Sequence, residues 1–120
     1  MTELHVLVAI IGVLVAISIP IFTSQLEKAR EATDQANLRA AYAEVTTAVL
    51  TGTAPDASVT GDKDTGYTKT VDLSQEKAGW VNETVPTIGN ATLSGSPKDG
   101  TSNTATVTAD KDGKVTITFN

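Results

Sequence analysis

Two ionisable side chains, Glu3 and His5, stand at the head of an otherwise apolar run, where their chemistry is most constrained. A carboxylate placed in hydrocarbon costs roughly 2.5–3.5 kcal/mol at a helix centre and less toward its edge. Pairing with a cation would offset that cost. The plainer alternative is a carboxylate at a polar interface, favouring the positive end of the helix dipole. His5 reads as a neutral imidazole tolerated beside other helices, not as a ligand or proton relay.

Elsewhere the chemistry is thin. The Asp-rich stretches Gly61-Asp-Lys-Asp-Thr-Gly66 and Asp110-Lys-Asp-Gly113 lack the run of oxygen ligands and closing Glu of a calcium loop, and read as turns. There is one His and no Cys, and no Gly-rich phosphate loop is present. No enzyme activity, metal or cofactor is expected. Asn82-Glu-Thr84 and Asn90-Ala-Thr92 match the glycosylation pattern, as chance allows in Thr-rich sequence.

A net charge of −5 argues against a dedicated nucleic-acid surface, which needs clustered Lys and Arg. Only Lys28, Arg30 and Arg39 lie near one another, with Glu27, Glu31 and Asp34 interleaved. That stretch reads as a solvated helix face carrying pairs such as Glu27 with Arg30 and Arg30 with Asp34. Without cysteine, a small head must be held by packing and hydrogen bonds alone.

The apolar run, Leu4 to Phe22, is long enough to cross a bilayer as a helix. It lacks the basic n-region and cleavage site of a secretory signal. Counting Lys and Arg alone would place the globular part in the cytoplasm, and a basic leader removed on maturation would reverse that orientation. From Thr23 to Leu50 there is no Gly or Pro, and strong helix formers dominate. One stripe, Leu26, Ala29, Thr33, Ala36, Ala40 and Ala43, is expected to meet neighbouring subunits. A second, Leu38, Ala41, Tyr42, Val45, Ala48 and Val49, is expected to carry the protein's own sheet. Gly52 and Pro55 end the helix.

Beyond Gly52 the chain turns to Thr, Gly, Asp, Ser and Asn with short β-prone runs. Candidate strands are Tyr67 to Val71, Thr104 to Thr108 and Lys114 to Phe119. The last two form a hairpin about Asp112-Gly113, with Val107, Val115, Ile117 and Phe119 facing inward. Trp80, Val81, Val85 and Ile88 are expected in a loop or short strand against the core. The fold class is therefore α+β: a long N-terminal helix, apolar then amphipathic, with a small antiparallel sheet on its C-terminal half. Its parts are an apolar transmembrane or filament-core segment (1–22), an amphipathic helical half (23–52) and a β-rich head (53–120).

The stretch Ala9-Ile-Ile-Gly-Val-Leu-Val-Ala-Ile-Ser-Ile-Pro-Ile-Phe22, continued through Thr23-Ser-Gln-Leu-Glu-Lys-Ala-Arg-Glu-Ala32 to Glu44, resembles the N-terminal helix of type IV pilins. The resemblance covers about residues 3–44. It implies a membrane-anchored precursor, trimmed by a prepilin peptidase, methylated on its new amine and drawn by an assembly machine into a helical homopolymer. In such filaments a glutamate near the mature N-terminus pairs with a neighbour's terminal amine. Glu3 is the matching residue, with Met1 at the present head, although aligning on Gly12 and Pro20 leaves two residues of the family pattern unmatched ahead of Glu3. The filament core would be packed by Leu4, Leu7, Ile10, Ile11, Leu14, Ile17, Ile21 and Phe22.

Gly12 and Pro20 weaken the helix between them, because Pro20 removes a donor and crowds the preceding turn. The expectation is a kink in the free subunit and extended backbone between them in the fibre. The function so implied is a structural pilus subunit for adhesion, motility or aggregation, at the cell surface after residence in the cytoplasmic membrane. The alternatives are a pseudopilin of a type II secretion or competence pilus, and a membrane-anchored binding module that never polymerises.

Overall fold

In the computed structural model the described backbone covers residues 2–80 and 85–120, with side chains described for 3–12, 24–80 and 85–120. Val81 and the Asn82-Glu-Thr84 triplet lie outside the described residues. Helical backbone runs over Thr2–Thr51 (α1). At 1.5 Å per residue it accounts for about 75 Å, close to the 77 Å long axis of the molecule. The radius of gyration is 20.6 Å, against about 14 Å for a compact chain of this length.

The helix ends where a left-handed residue is available. Gly52, at φ 71°, donates its N–H to the Ala48 carbonyl at 2.8 Å, and satisfies an orphan acceptor of the last turn. The rest of the chain supplies five strands: β1 (Thr60–Asp62), β2 (Gly66–Asp72), β3 (Thr92–Ser94), β4 (Thr104–Ala109) and β5 (Val115–Phe119). They lie in the order β1-β2-β4-β5-β3.

The expected architecture needs correcting. The sheet is mixed: β3 pairs parallel to β5, while the other pairings are antiparallel. The reason lies in the connections. After β2 the chain crosses to the far edge to lay down β3, then returns to the middle as β4, and the β4–β5 hairpin slots β5 between β4 and β3. Nor does a long N-terminal helix lie along the sheet. The sheet meets only the longer described stretch, residues 24–51, while the short apolar stretch, residues 3–12, stays exposed. The chain is α+β, with a five-stranded mixed sheet as its β layer.

The hairpin forms where its residues place it, with Ala105 opposite Phe119 and Val107 opposite Ile117. Asp110 organises the turn: its Oδ1 accepts the N–H groups of Asp112 and Lys114, each at 2.9 Å. Period-2 alternation then buries Ala105, Val107, Ala109, Val115, Ile117 and Phe119 against Leu38, Ala41, Val45 and Ala48 of the helix. Tyr67, Val71, Leu73, Val59 and Ile88 complete the core, and Trp80 meets Phe119 edge to face with ring centroids 5.3 Å apart. Val85 is exposed instead.

The segment before β3 is pinned to the helix by two side chains. Arg39 donates to the Thr87 carbonyl at 3.3 Å, and the Asn90 N–H donates to the Tyr42 hydroxyl at 3.3 Å. Between them Gly89 lies so close to Tyr42 that a Cβ would come within 2.5 Å of its ring, and its φ of 53° is left-handed. Gly89→Ala is expected to destabilise the fold by about 1–3 kcal/mol. Chemical denaturation in detergent, monitored by Trp80 fluorescence, checks this.

Candidate functional site

Two surfaces of the helix carry the chemistry, and they point in different directions. The first is a clamp of buried acids. Glu27, Glu31 and Asp34 recur at i, i+4 and i+7, in phase with Leu38, Ala41, Val45 and Ala48, and all three are buried. Burial of carboxylates demands donors, and the chain after β2 supplies them. Asp34 accepts the backbone N–H groups of Ser74 and Gln75 at 2.7 and 2.8 Å. Glu27 accepts those of Glu76 and Lys77 at 3.0 and 3.1 Å. Gln35 donates to Glu31 at 3.2 Å.

The expected solvated pairs are therefore corrected. Arg30 does meet Glu27 at 3.3 Å, but its shorter contact is to Glu76 at 2.9 Å. Asp34, expected to pair with Arg30, turns inward to the N–H groups, because the stripe it occupies is the docking stripe. That shared phase with Leu38 was the signal in the sequence. Asn103 extends the clamp, donating through Nδ2 to the carbonyls of Gln75, Lys98 and Gly100 at 3.0, 2.6 and 3.2 Å. A further tie, Lys69 with Glu44, joins the helix to β2.

The second surface is the apolar one. Leu4, Val6, Leu7, Val8, Ile10 and Ile11 are each between 52% and 61% exposed. Glu3 shares a shallow patch with Val6, Leu7 and Ile10, the i, i+3, i+4 and i+7 positions of one helix face. Fully covering a side chain of this kind is worth about 1.5–3 kcal/mol. Six together give a drive of roughly 10 kcal/mol toward any apolar partner.

Of the expected site residues, Glu3, Leu4, Leu7, Ile10 and Ile11 stand on this exposed stretch. Gly12 continues it within helical backbone, and a Cβ added there would meet nothing within 4 Å among the described residues. Met1 and the side chains of Leu14, Ile17, Pro20, Ile21 and Phe22 lie outside the described residues, although the backbone that carries Leu14 to Phe22 is helical. His5 is exposed on a different side of the helix from Glu3. Farther along, Leu26, Ala29, Thr33, Ala36, Ala40 and Ala43 are all exposed, which leaves one side of the amphipathic half uncovered. Among the described residues, no helix is long and apolar enough to cross a membrane.

The two Asp-rich turns hold hydrogen bonds of their own. Asp62 Oδ1 accepts the N–H groups of Asp64 and Thr65, both at 2.8 Å, and the Thr65 hydroxyl at 3.0 Å. Those bonds, the Thr65 N–H foremost, hold its carboxyl below the usual range; Asp56 is lowered likewise, by the Ser58 hydroxyl first. No group of three or more potential metal ligands occurs among the described residues.

No family model, no curated protein and no solved structure matches this chain.

The clamp and the Asp62 turn can each be tested. Asp34→Ala strips the buried Gln75 N–H and the part-buried Ser74 N–H of their acceptor and is expected to cost about 1–4 kcal/mol. Hydrogen exchange checks it: the amides of Ser74 and Gln75 lose protection before those of β4. Asp62, lowered in the folded chain, stabilises its turn above the ordinary carboxylate range, and that contribution is lost as pH falls through the lowered value. In an acid titration followed by NMR, the Thr65 amide shift should track Asp62 below the ordinary range, and Asp62→Asn should flatten that response.

Proposed function

We propose that this chain is the structural subunit of a type IV pilus, polymerising through its N-terminal helix and displayed at the cell surface. The observation that carries the reading is the exposure of every described apolar side chain from Leu4 to Ile11. The head has a closed core of its own and draws on none of these residues. An uncovered surface of this size needs lipid before assembly and like surfaces after it. Polymerisation out of a membrane meets both needs in turn, because lipid covers the surface until neighbouring helices replace it.

The exposed face from Leu26 to Ala43 supports the same reading. Its alanines allow close approach of a neighbouring helix, while the opposite stripe is committed to the sheet. Glu3, on the face with Val6, Leu7 and Ile10, then pairs with a neighbour's terminal amine and selects docking height, since an unpaired carboxylate among apolar helices is costly. In this reading the leader is removed by a prepilin peptidase, and an assembly machine moves the subunit from the cytoplasmic membrane into the fibre. The filament serves adhesion, motility or aggregation.

Expression with a matching assembly machinery, followed by negative-stain microscopy of sheared surface material, tests this. Wild-type chain is expected to yield long fibres. Ile10→Asp should abolish them, and Glu3→Ala should reduce them severely, the Glu3→Ala subunit staying at unchanged level in the membrane fraction. Wild-type chain that stays monomeric in the membrane fraction, or Ile10→Asp chain that polymerises normally, overturns the reading.

A further inference from the structure

The sheet face turned away from the helix carries two ranks of hydroxyl side chains. Through the pairings of all five strands, Thr60, Thr68, Thr108, Thr116 and Thr92 fall opposite one another in a single rank. Two residues along, Thr70, Thr106, Thr118 and Ser94 form a second. The alternate residues Val71, Val107 and Ile117 point into the core, so the ranks belong to the outer face. Thr68 and Thr108 place their hydroxyls 3.2 Å apart, and Asn120 donates to Thr106 at 3.1 Å. Neither rank holds a charge, although the chain carries −5 overall. Asp62 and Asp72 stand at the margin of the face, in register with Gly66 and Thr104.

We propose that this threonine face is where filaments of this chain associate side by side, its occupant being the same face of a second copy. The proposal rests on the filament reading above. With helices at the fibre axis, the face opposite α1 points outward. A hydroxyl both donates and accepts and a methyl packs on a methyl, so a threonine rank is complementary to itself across a two-fold axis. Two such faces can approach to about 10 Å, the usual separation of stacked sheets. Neutral ranks bring together the part of a negative chain that repels its copy least. No aromatic ring lies in either rank to stack on a sugar.

Area decides when the contact operates. Five strands about 4.8 Å apart and two ranks about 7 Å apart cover roughly 300 Å². A stable pair of proteins buries about 800 Å² on each partner. Single chains therefore do not dimerise through this face. Repetition along a fibre multiplies it, and association begins only after polymerisation.

The test compares purified filaments of wild-type chain, of the double variant Thr106→Glu/Thr108→Glu, and of Thr106→Val/Thr108→Val, which keeps side-chain shape. Electron microscopy scores bundles, and hydrogen exchange confirms an intact head. Wild-type filaments are expected to bundle with no added component, and more so as salt screens the marginal acids. The glutamate variant should form single filaments, its bundled fraction lower by about tenfold or more. The valine variant should bundle at a level between the two. Glutamate filaments that bundle like wild type overturn the proposal, as do wild-type filaments that stay single or bundle only when a cell-surface polysaccharide is added. If none of the three chains yields fibres, the filament reading itself fails and this proposal falls with it.

Discussion

The head depends on one stripe of the helix, and on the fact that its upper part is acidic while its lower part is oily. Leu38, Ala41, Val45 and Ala48 give β2, β4 and β5 a surface to close on. Above Leu38 on the same stripe, Asp34 and then Glu27 take four backbone N–H groups from residues 74–77. Those groups leave the sheet at the end of β2 with no strand to bond to, and screened in part or, for Gln75, wholly from water, they are expensive unless accepted. The helix finishes what the sheet leaves open. Asn103 then ties the same segment to the connection that leads into β4.

This arrangement lets one helix serve two masters. Its inward stripe is consumed by the head, including the acids that a surface reading would assign to water. Its opposite stripe, Leu26 to Ala43, and the apolar stretch from Leu4 to Ile11 stay uncovered. The head is complete without them, so they are available for contacts between copies. In the filament proposed above the consequence would be a division of labour along the chain: oily helix inward, sheet outward, and the clamp at the junction fixing the orientation of one against the other.

The hairpin is legible in the sequence because everything it needs is local. Alternating Val, Ile and Thr flank Asp110 to Gly113, and pairing them demands no distant partner. The second stripe is legible for a similar reason, since 3.6-residue spacing puts its members on one face whatever packs there. β1 and β3 are not, as each is three residues long and carries no periodicity. The parallel pairing of β3 with β5 joins segments more than twenty residues apart, and that is a property of the path, not of either segment. Glu27, Glu31 and Asp34 mislead because their charge argues for water while their phase along the helix argues for the core, and here phase wins.

Composition and spacing alone determined that the chain has an apolar N-terminal stretch, an amphipathic helical stretch ending at Gly52 and a threonine-rich β region. Each comes from local preference: side-chain transfer from water, helix propensity and the left-handed freedom of glycine. Only the tertiary structure decided that the sheet is mixed, that three acids are buried as acceptors, and that the threonines line up in ranks across five strands. Those outcomes depend on which N–H groups are left without partners once distant segments meet, and no window of sequence contains both sides of such a contact.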